Sequence, residues 1–206
     1  MLSAAPITTF LLAVNVLVSL HALFVDPGAL DRYAFRPVEM RERKEWYRMI
    51  TGAFLHANLV HLLFNMMTLY FFGPYLEARR LGELPFLVVY FGSLLAAHAY
   101  AYVRHRNDPD YAAVGASGAI SGVLLSFCLF EPMSPIYIFL IPVGIPAILF
   151  AVLFIAFSSY AVRDADRGGG GRIAHDAHLG GAIAGLVLTI ILSPSVLRIF
   201  VAQLPF

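Results

Sequence analysis

The chain has 206 residues, room for one domain. Hydrophobic residues make up 60% and charged residues 13%, against about 45–50% and about 25% in soluble domains, an excess too large for an ordinary core. The formal net charge of +1 gives no reason to expect a nucleic-acid partner, and the single cysteine, Cys128, cannot close an intrachain disulfide.

A helix needs roughly 20 apolar residues to cross the hydrocarbon, within a range of about 17–25. Helices are the natural choice because backbone groups in lipid must be bonded within their own segment. Six candidate spans follow one another, giving an all-α, polytopic membrane bundle in a single domain over residues 1–206. The first runs from about Pro6 to Val25 without a formal charge. It lacks a basic leader and a clear cleavage site, so it reads as a span and not as a signal peptide. The loop over residues 26–50 is rich in charges and aromatics, and it predicts a structured segment at the interface with Phe35, Trp46 and Tyr47 at headgroup level.

The second span covers about Asn58 to Leu76 and the third about Pro85 to Val103. The fourth opens at Gly115 and ends by Glu131. Its roughly 15 apolar residues reach about 22 Å at 1.5 Å per residue, short of a roughly 30 Å core, so its first turn should start below the membrane surface. The fifth, about Ile136 to Val162, carries Pro142, Gly144 and Pro146 near its start, which predicts a kink. The loop over 163–176 contains Gly168–Gly171 and should be mobile. The sixth runs from about Ala177 to Ser193.

Polar residues inside spans are costly and are functional candidates by default. His61 and Asn65, four apart, share a face of the second span. Ser117 stands at the start of the fourth and His178 at the start of the sixth. Spans two, four and six run in the same direction, and each carries its polar group in its first turns, so these four side chains lie at similar depth. Gly118 and Gly122, and Gly181 and Gly185, form small-residue faces that let helices four and six approach closely. Ser117 and His178 then come within reach as nucleophile and general base. Asn65, His61 and the Ser117 N–H are candidate donors to a developing oxyanion. No acidic residue within a span supplies a third member, which favours a Ser–His dyad, and Asp176 is placed in the loop. His56 points away from His61 and suits a loop anchor; His175 reads as a loop histidine.

The segments H-A-N-L-V-H-L-L-F-N (from His56), G-A-S-G (from Gly115) and A-H-L-G-G-A-I-A-G (from Ala177) resemble the signature motifs of rhomboid intramembrane proteases. Glu45-Trp46-Tyr47-Arg48 resembles the family's W-R motif, and Phe72-Gly73 through Glu77 and Gly82 the motif that ends span two. The resemblance extends from about Trp46 to Gly185. It implies a serine endopeptidase that cleaves transmembrane or juxtamembrane segments of membrane proteins, without metal or other cofactor. It also implies catalytic Ser117 and His178, oxyanion donors His61 and Asn65, and supporting roles for His56, Gly115, Gly118, Gly181, Gly185, Trp46 and Arg48. Membrane lipid and transmembrane substrates are the expected partners, and a prokaryotic inner membrane the expected location. One position departs from the pattern. Many members carry an aromatic residue four places after the nucleophile, to pack on the catalytic histidine, and this chain has Ser121.

Two other classes compete with the protease: a catalytically dead relative that escorts membrane clients, and a histidine-lined metal or proton carrier. The intact Ser117 and His178 speak against the first. The lack of an H-E-x-x-H motif and of nearby carboxylates within the spans speaks against the second. Orientation is contested by two rules. The resemblance puts the first, third and fifth loops outside the cell, yet nearly all the Lys and Arg lie on that side, with only Arg79, Arg80 and Arg198 opposite.

Overall fold

The computed structural model describes residues 2–138, 143–166 and 175–205. The first helix, α1 (Pro6–Phe24), opens on a proline, which suits the first helical position. Its own N-cap, Ala5, offers no side-chain acceptor. Glu77, from far along the chain, fills that place: its carboxylate accepts from Ile7 N at 2.8 Å, Thr8 N at 2.7 Å and Thr8 Oγ1 at 2.6 Å. An anion at a helix N-terminus is favoured by the exposed N–H groups there, which is why a carboxylate can be 2% exposed between two apolar helices.

The loop after α1 folds into short helices α2 (Gly28–Tyr33), α3 (Pro37–Arg43) and α4 (Arg48–Thr51), then a 3₁₀ turn over Gly52–Phe54. Arg48 holds it together from within: its guanidinium donates to Glu45 Oε2 at 2.7 Å, Ala34 O at 2.8 Å and Asp31 O at 3.1 Å. The helix α5 (Leu59–Tyr75) begins at Asn58, whose side chain accepts from His61 N at 2.9 Å, an ordinary N-cap. After Pro74 it passes into a π-helical stretch, Leu76–Leu81, and Gly82 at φ +82° turns the chain into α6 (Glu83–His105).

The short helix α7 (Ser117–Phe130) is the centre of the bundle, and most of its 14 residues are buried. It packs against α5, α6, α8 (Ala147–Asp166) and α9 (His175–Leu192), and the terminal α10 (Val196–Ala202) closes over its end. Among the described residues, five helices are long and apolar enough to cross a membrane, and α7 is a shorter apolar one. Their outward faces carry exposed Phe10, Leu17, Phe71, Val152 and Ile191, whereas Asn15, Ser19, Ser93, Ser126 and Thr189 are buried between helices. Apolar outside and polar inside is the arrangement a bilayer selects. The chain is an all-α, polytopic membrane bundle.

Two boundaries differ from the sequence reading. The fifth helix starts at Ala147, not near Ile136. The residues before it form an antiparallel hairpin, β1 (Pro135–Tyr137) with β2 (Gly144–Pro146), in which Ile136 pairs with Ile145. The residue before a proline is pushed away from helical torsions, so the helix begins only after Pro146. Pro142 and the glycine run Gly168–Gly171 lie outside the described residues. The last long helix begins at His175, two residues before the expected start, so Asp176 belongs to its first turn.

Candidate active site

Glycines decide how closely α7 and α9 meet. A Cβ on Gly181 would stand 2.0 Å from Gly118 O, and one on Gly185 would stand 2.3 Å from Gly122 Cα. No side chain fits at either place. Just beyond this seam, Ser126 Oγ donates to Gly122 O at 2.7 Å and Thr189 Oγ1 donates to Ser126 Oγ at 2.6 Å, bonding the two helices in the interior.

At the end of the same seam, His178 Nε2 lies 2.8 Å from Ser117 Oγ. Ser117 is the first residue of α7 and His178 is in the first turn of α9, so both side chains sit where helix starts leave the backbone open. The seryl O–H donates when the imidazole carries its hydrogen on Nδ1. The arrangement can therefore move a proton from a hydroxyl to a neighbouring base.

The α5 residues approach from a third side. Gly115, at φ +116°, passes so close to the His61 ring that a Cβ there would stand 2.5 Å from His61 Cε1. Gly115 N donates to Gly52 O at 2.9 Å, which ties the strand before α7 to the end of the first loop. Asn65 Nδ2 donates to His61 O at 3.1 Å, and the amide keeps a second N–H. His56 is fully buried. Ser19 Oγ donates to Phe54 O at 2.9 Å, so in its 2.8 Å contact with His56 Nδ1 the ring must be the donor. His56 does not point away from His61, as the spacing of five suggested: it meets the His61 ring edge-on at 5.0 Å and lies between that ring and Ser19 of α1.

Trp46 and Arg48 are not part of this cluster. Trp46 is half exposed and packs on Tyr102 of α6, and Arg48 serves the fold of the first loop. Beside it, the hydrogen bond from Arg48 holds the Glu45 carboxyl below the usual range, against the opposing effect of desolvation and with the help of the Arg48 charge. Ser121, which stands in place of an aromatic, turns back to donate to Ser117 O at 2.7 Å. The ring against His178 is instead that of His175, edge-on at 6.0 Å, itself edge-on to Phe157 of α8 at 5.5 Å. His175 is thus a neighbour of His178 on α9 and not a loop residue. Asp176, which the sequence reading placed in the loop, is buried in the first turn of α9 with its carboxylate facing α6. Its only signal in the sequence is a lone acid two residues before His178. Among the described residues, no three His, Cys, Asp or Glu side chains converge as a metal-binding set.

Residues 43–195 match the family model described as the Rhomboid domain. The chain is 38% identical over 125 residues to the putative rhomboid protease YdcA of Bacillus subtilis, covering 57% of this chain and 59% of that protein. It is 30% identical over 152 residues to RHOMBOID-like protein 12, mitochondrial, of Arabidopsis thaliana, covering 66% and 43%. It is 33% identical over 141 residues to the rhomboid protease GluP of Bacillus subtilis, covering 68% and 25%. The chain thus spans about a quarter to three fifths of the length of these relatives. The matched region contains α5, α7 and α9 with every residue of the Ser117–His178–His61–Asn65 cluster, and on that ground the chain belongs to the rhomboid family.

Proposed function

We propose that the chain is an intramembrane serine endopeptidase that cleaves transmembrane or juxtamembrane segments of other membrane proteins. The observation that carries this reading is the 2.8 Å contact between Ser117 Oγ and His178 Nε2, held between two helices so close that their glycines leave no room for a side chain.

In this reading Ser117 Oγ attacks the scissile carbonyl carbon while His178 Nε2 takes the hydroxyl proton. The carbonyl π pair moves onto oxygen. The second N–H of Asn65, the His61 ring and the Ser117 backbone N–H stabilise that oxyanion. When the intermediate collapses, the C–N bond breaks and His178 returns the proton to the leaving amine. Water then repeats the sequence on the acyl-enzyme, with His178 as base, and releases the second product. Among the described residues no carboxylate pairs with His178, so the histidine is oriented by packing: the α9 seam on one side and the His175 ring on another. Gly115 is required to be glycine because His61 occupies the space of its side chain. No cofactor enters the chemistry. The partners are membrane lipid and the substrate's own span, and the setting is a prokaryotic inner membrane with the Ser117 end of α7 facing outward.

A fluorophosphonate probe tests the reading. Purified full-length protein in detergent should be labelled covalently and should cleave a single-span model substrate, and Ser117→Ala should lose both at an unchanged melting temperature. Wild-type protein that is folded, unlabelled and silent toward a panel of single-span substrates would overturn it in favour of a non-catalytic escort of membrane clients.

A further inference from the structure

We propose that Asp176 is a positioning residue for His178: with His105, Arg104 and Tyr111 it forms a buried latch that fixes the first turn of α9 against α6 and the α6–α7 loop. The inference rests on the protease reading for the role of His178.

Asp176 is 5% exposed. A carboxylate withdrawn from water is costly unless it is paired and fully hydrogen-bonded, and this one is. Its Oδ2 accepts from His105 Nε2 at 2.6 Å, with Arg104 Nε 3.9 Å away. Its Oδ1 accepts from Ala177 N at 2.8 Å and from the Tyr111 hydroxyl at 3.4 Å. His105 in turn lies flat on the Tyr111 ring, centroids 3.7 Å apart and planes at 9°, with Asp108 Oδ2 3.8 Å from its Nδ1. Tyr111 is itself anchored. Its ring meets Phe35 edge-on at 6.4 Å, and Phe35 and Ala113 exchange backbone hydrogen bonds at 2.9 and 3.0 Å. Burial first, then the charge of Asp176, push the Tyr111 phenol well above its ordinary range, so it stays a neutral donor.

The geometry of a helix makes this arrangement mechanical. Residues two apart are about 200° apart around the axis. Asp176 therefore grips α6 on one face of α9 while His178 meets Ser117 on the other. Between them Ala177 is buried against α7, its carbonyl 3.5 Å from the place of a Gly118 Cβ. A first helical turn has no preceding turn to hold it, so without the latch His178 would depend on side-chain packing alone. A displacement of about 1 Å at a catalytic group costs on the order of 100-fold in rate.

The test uses full-length protein in detergent, with Asp176→Ala, His105→Ala, the double variant and Asp176→Asn. We expect each alanine variant to lose at least about tenfold in kcat with KM within about twofold. The double variant should be no worse than the poorer single one, because both break one latch. Asp176→Asn should recover most of the loss, since its amide can donate to the other tautomer of His105 and still accept from Ala177 N. Hydrogen exchange in peptides covering 175–185 should rise more than tenfold in both alanine variants, with α5 and α7 unchanged. Wild-type kcat in Asp176→Ala, additive losses in the double variant, or unchanged exchange in the first turn of α9 would each overturn the latch. If Asp176→Ala does not fold, Asp176→Asn and His105→Ala decide the question. If wild-type protein cleaves nothing, the exchange arm still decides the latch, and the failure belongs to the protease reading.

Discussion

Histidine illustrates how little a residue type fixes by itself. The chain has 7 of them, and their surroundings assign them different work. His98 Nδ1 donates to Met49 O, 2.7 Å away, and the ring stacks on Phe35, tying α6 to the first loop. His56 braces His61, and His105 grips Asp176. His56 meets the Ser19 hydroxyl as a donor, whereas His178 Nε2 lies where it can accept from the Ser117 hydroxyl. His178→Ala should therefore lose about 10⁴-fold or more in kcat, as losing the base of a serine protease does. His175→Ala removes only an edge-on ring contact, worth about 0.5–1.5 kcal/mol, and should keep at least about a tenth of wild-type kcat. Equal losses in the two variants would move the base assignment. Asn65→Ala and His61→Ala should lower kcat by about 10²–10³-fold with little change in KM, because an oxyanion donor acts in the transition state. A rise in KM at constant kcat would mark both as structural.

At the scale of elements, the seam between α7 and α9 is set by what is missing from it. Gly185→Ala places a methyl where Gly122 Cα already stands, 2.3 Å away. Backbone cannot rotate aside as a side chain can, so the helices must part. Overpacking of this kind costs about 1–3 kcal/mol, and the parting also lengthens the Ser117–His178 contact. We expect a lower melting temperature together with a kcat loss of at least about 100-fold, read by thermal unfolding and by cleavage at equal folded protein. Full activity in Gly185→Ala would show that the seam does not set the dyad. The opposite device holds α1 to the end of α5, where an inserted carboxylate, Glu77, replaces the missing cap. At the far end of α7, burial opposes the charge of Glu131, but hydrogen bonds from Tyr75, Arg80 and Ser134 outweigh it and keep the carboxyl below its usual range. An ion pair with Arg80 at 2.6 Å closes that end of the bundle.

The whole molecule raises the question of direction. Lys and Arg crowd the side that carries Ser117, which by the positive-inside rule places that side in the cytoplasm. Several of these charges are occupied within the first loop. Arg48 pairs with Glu45 at 2.7 Å and is buried, and Arg36 pairs with Asp31 at 2.8 Å. That loop is also folded into the helices α2, α3 and α4. We expect the Ser117 side to face outward. Asp110→Cys, in a Cys128→Ala background, should react with an impermeant maleimide on intact cells, since Asp110 is exposed in the α6–α7 loop. Reaction only after lysis would place the active side inside.

Hydropathy and motif placement already determined the class of molecule, its spans and the four candidate site residues, because lipid imposes helices of set length and makes each intramembrane polar residue conspicuous. The shortness of α7 was legible for the same reason. Three things required the tertiary structure. The hairpin before α8 is decided by the pairing of Pro135–Tyr137 with Gly144–Pro146, and an apolar run does not tell a strand from a helix. The burial of Asp176 is matched by His105, a residue 71 positions away in sequence. The His175 ring beside His178, where position 121 has no aromatic, depends on His175 being helical, since a spacing of three brings two rings together only within one helix. Patterns local to a span are written in composition. Contacts between spans are chosen by which faces meet, and that is settled only when the helices pack.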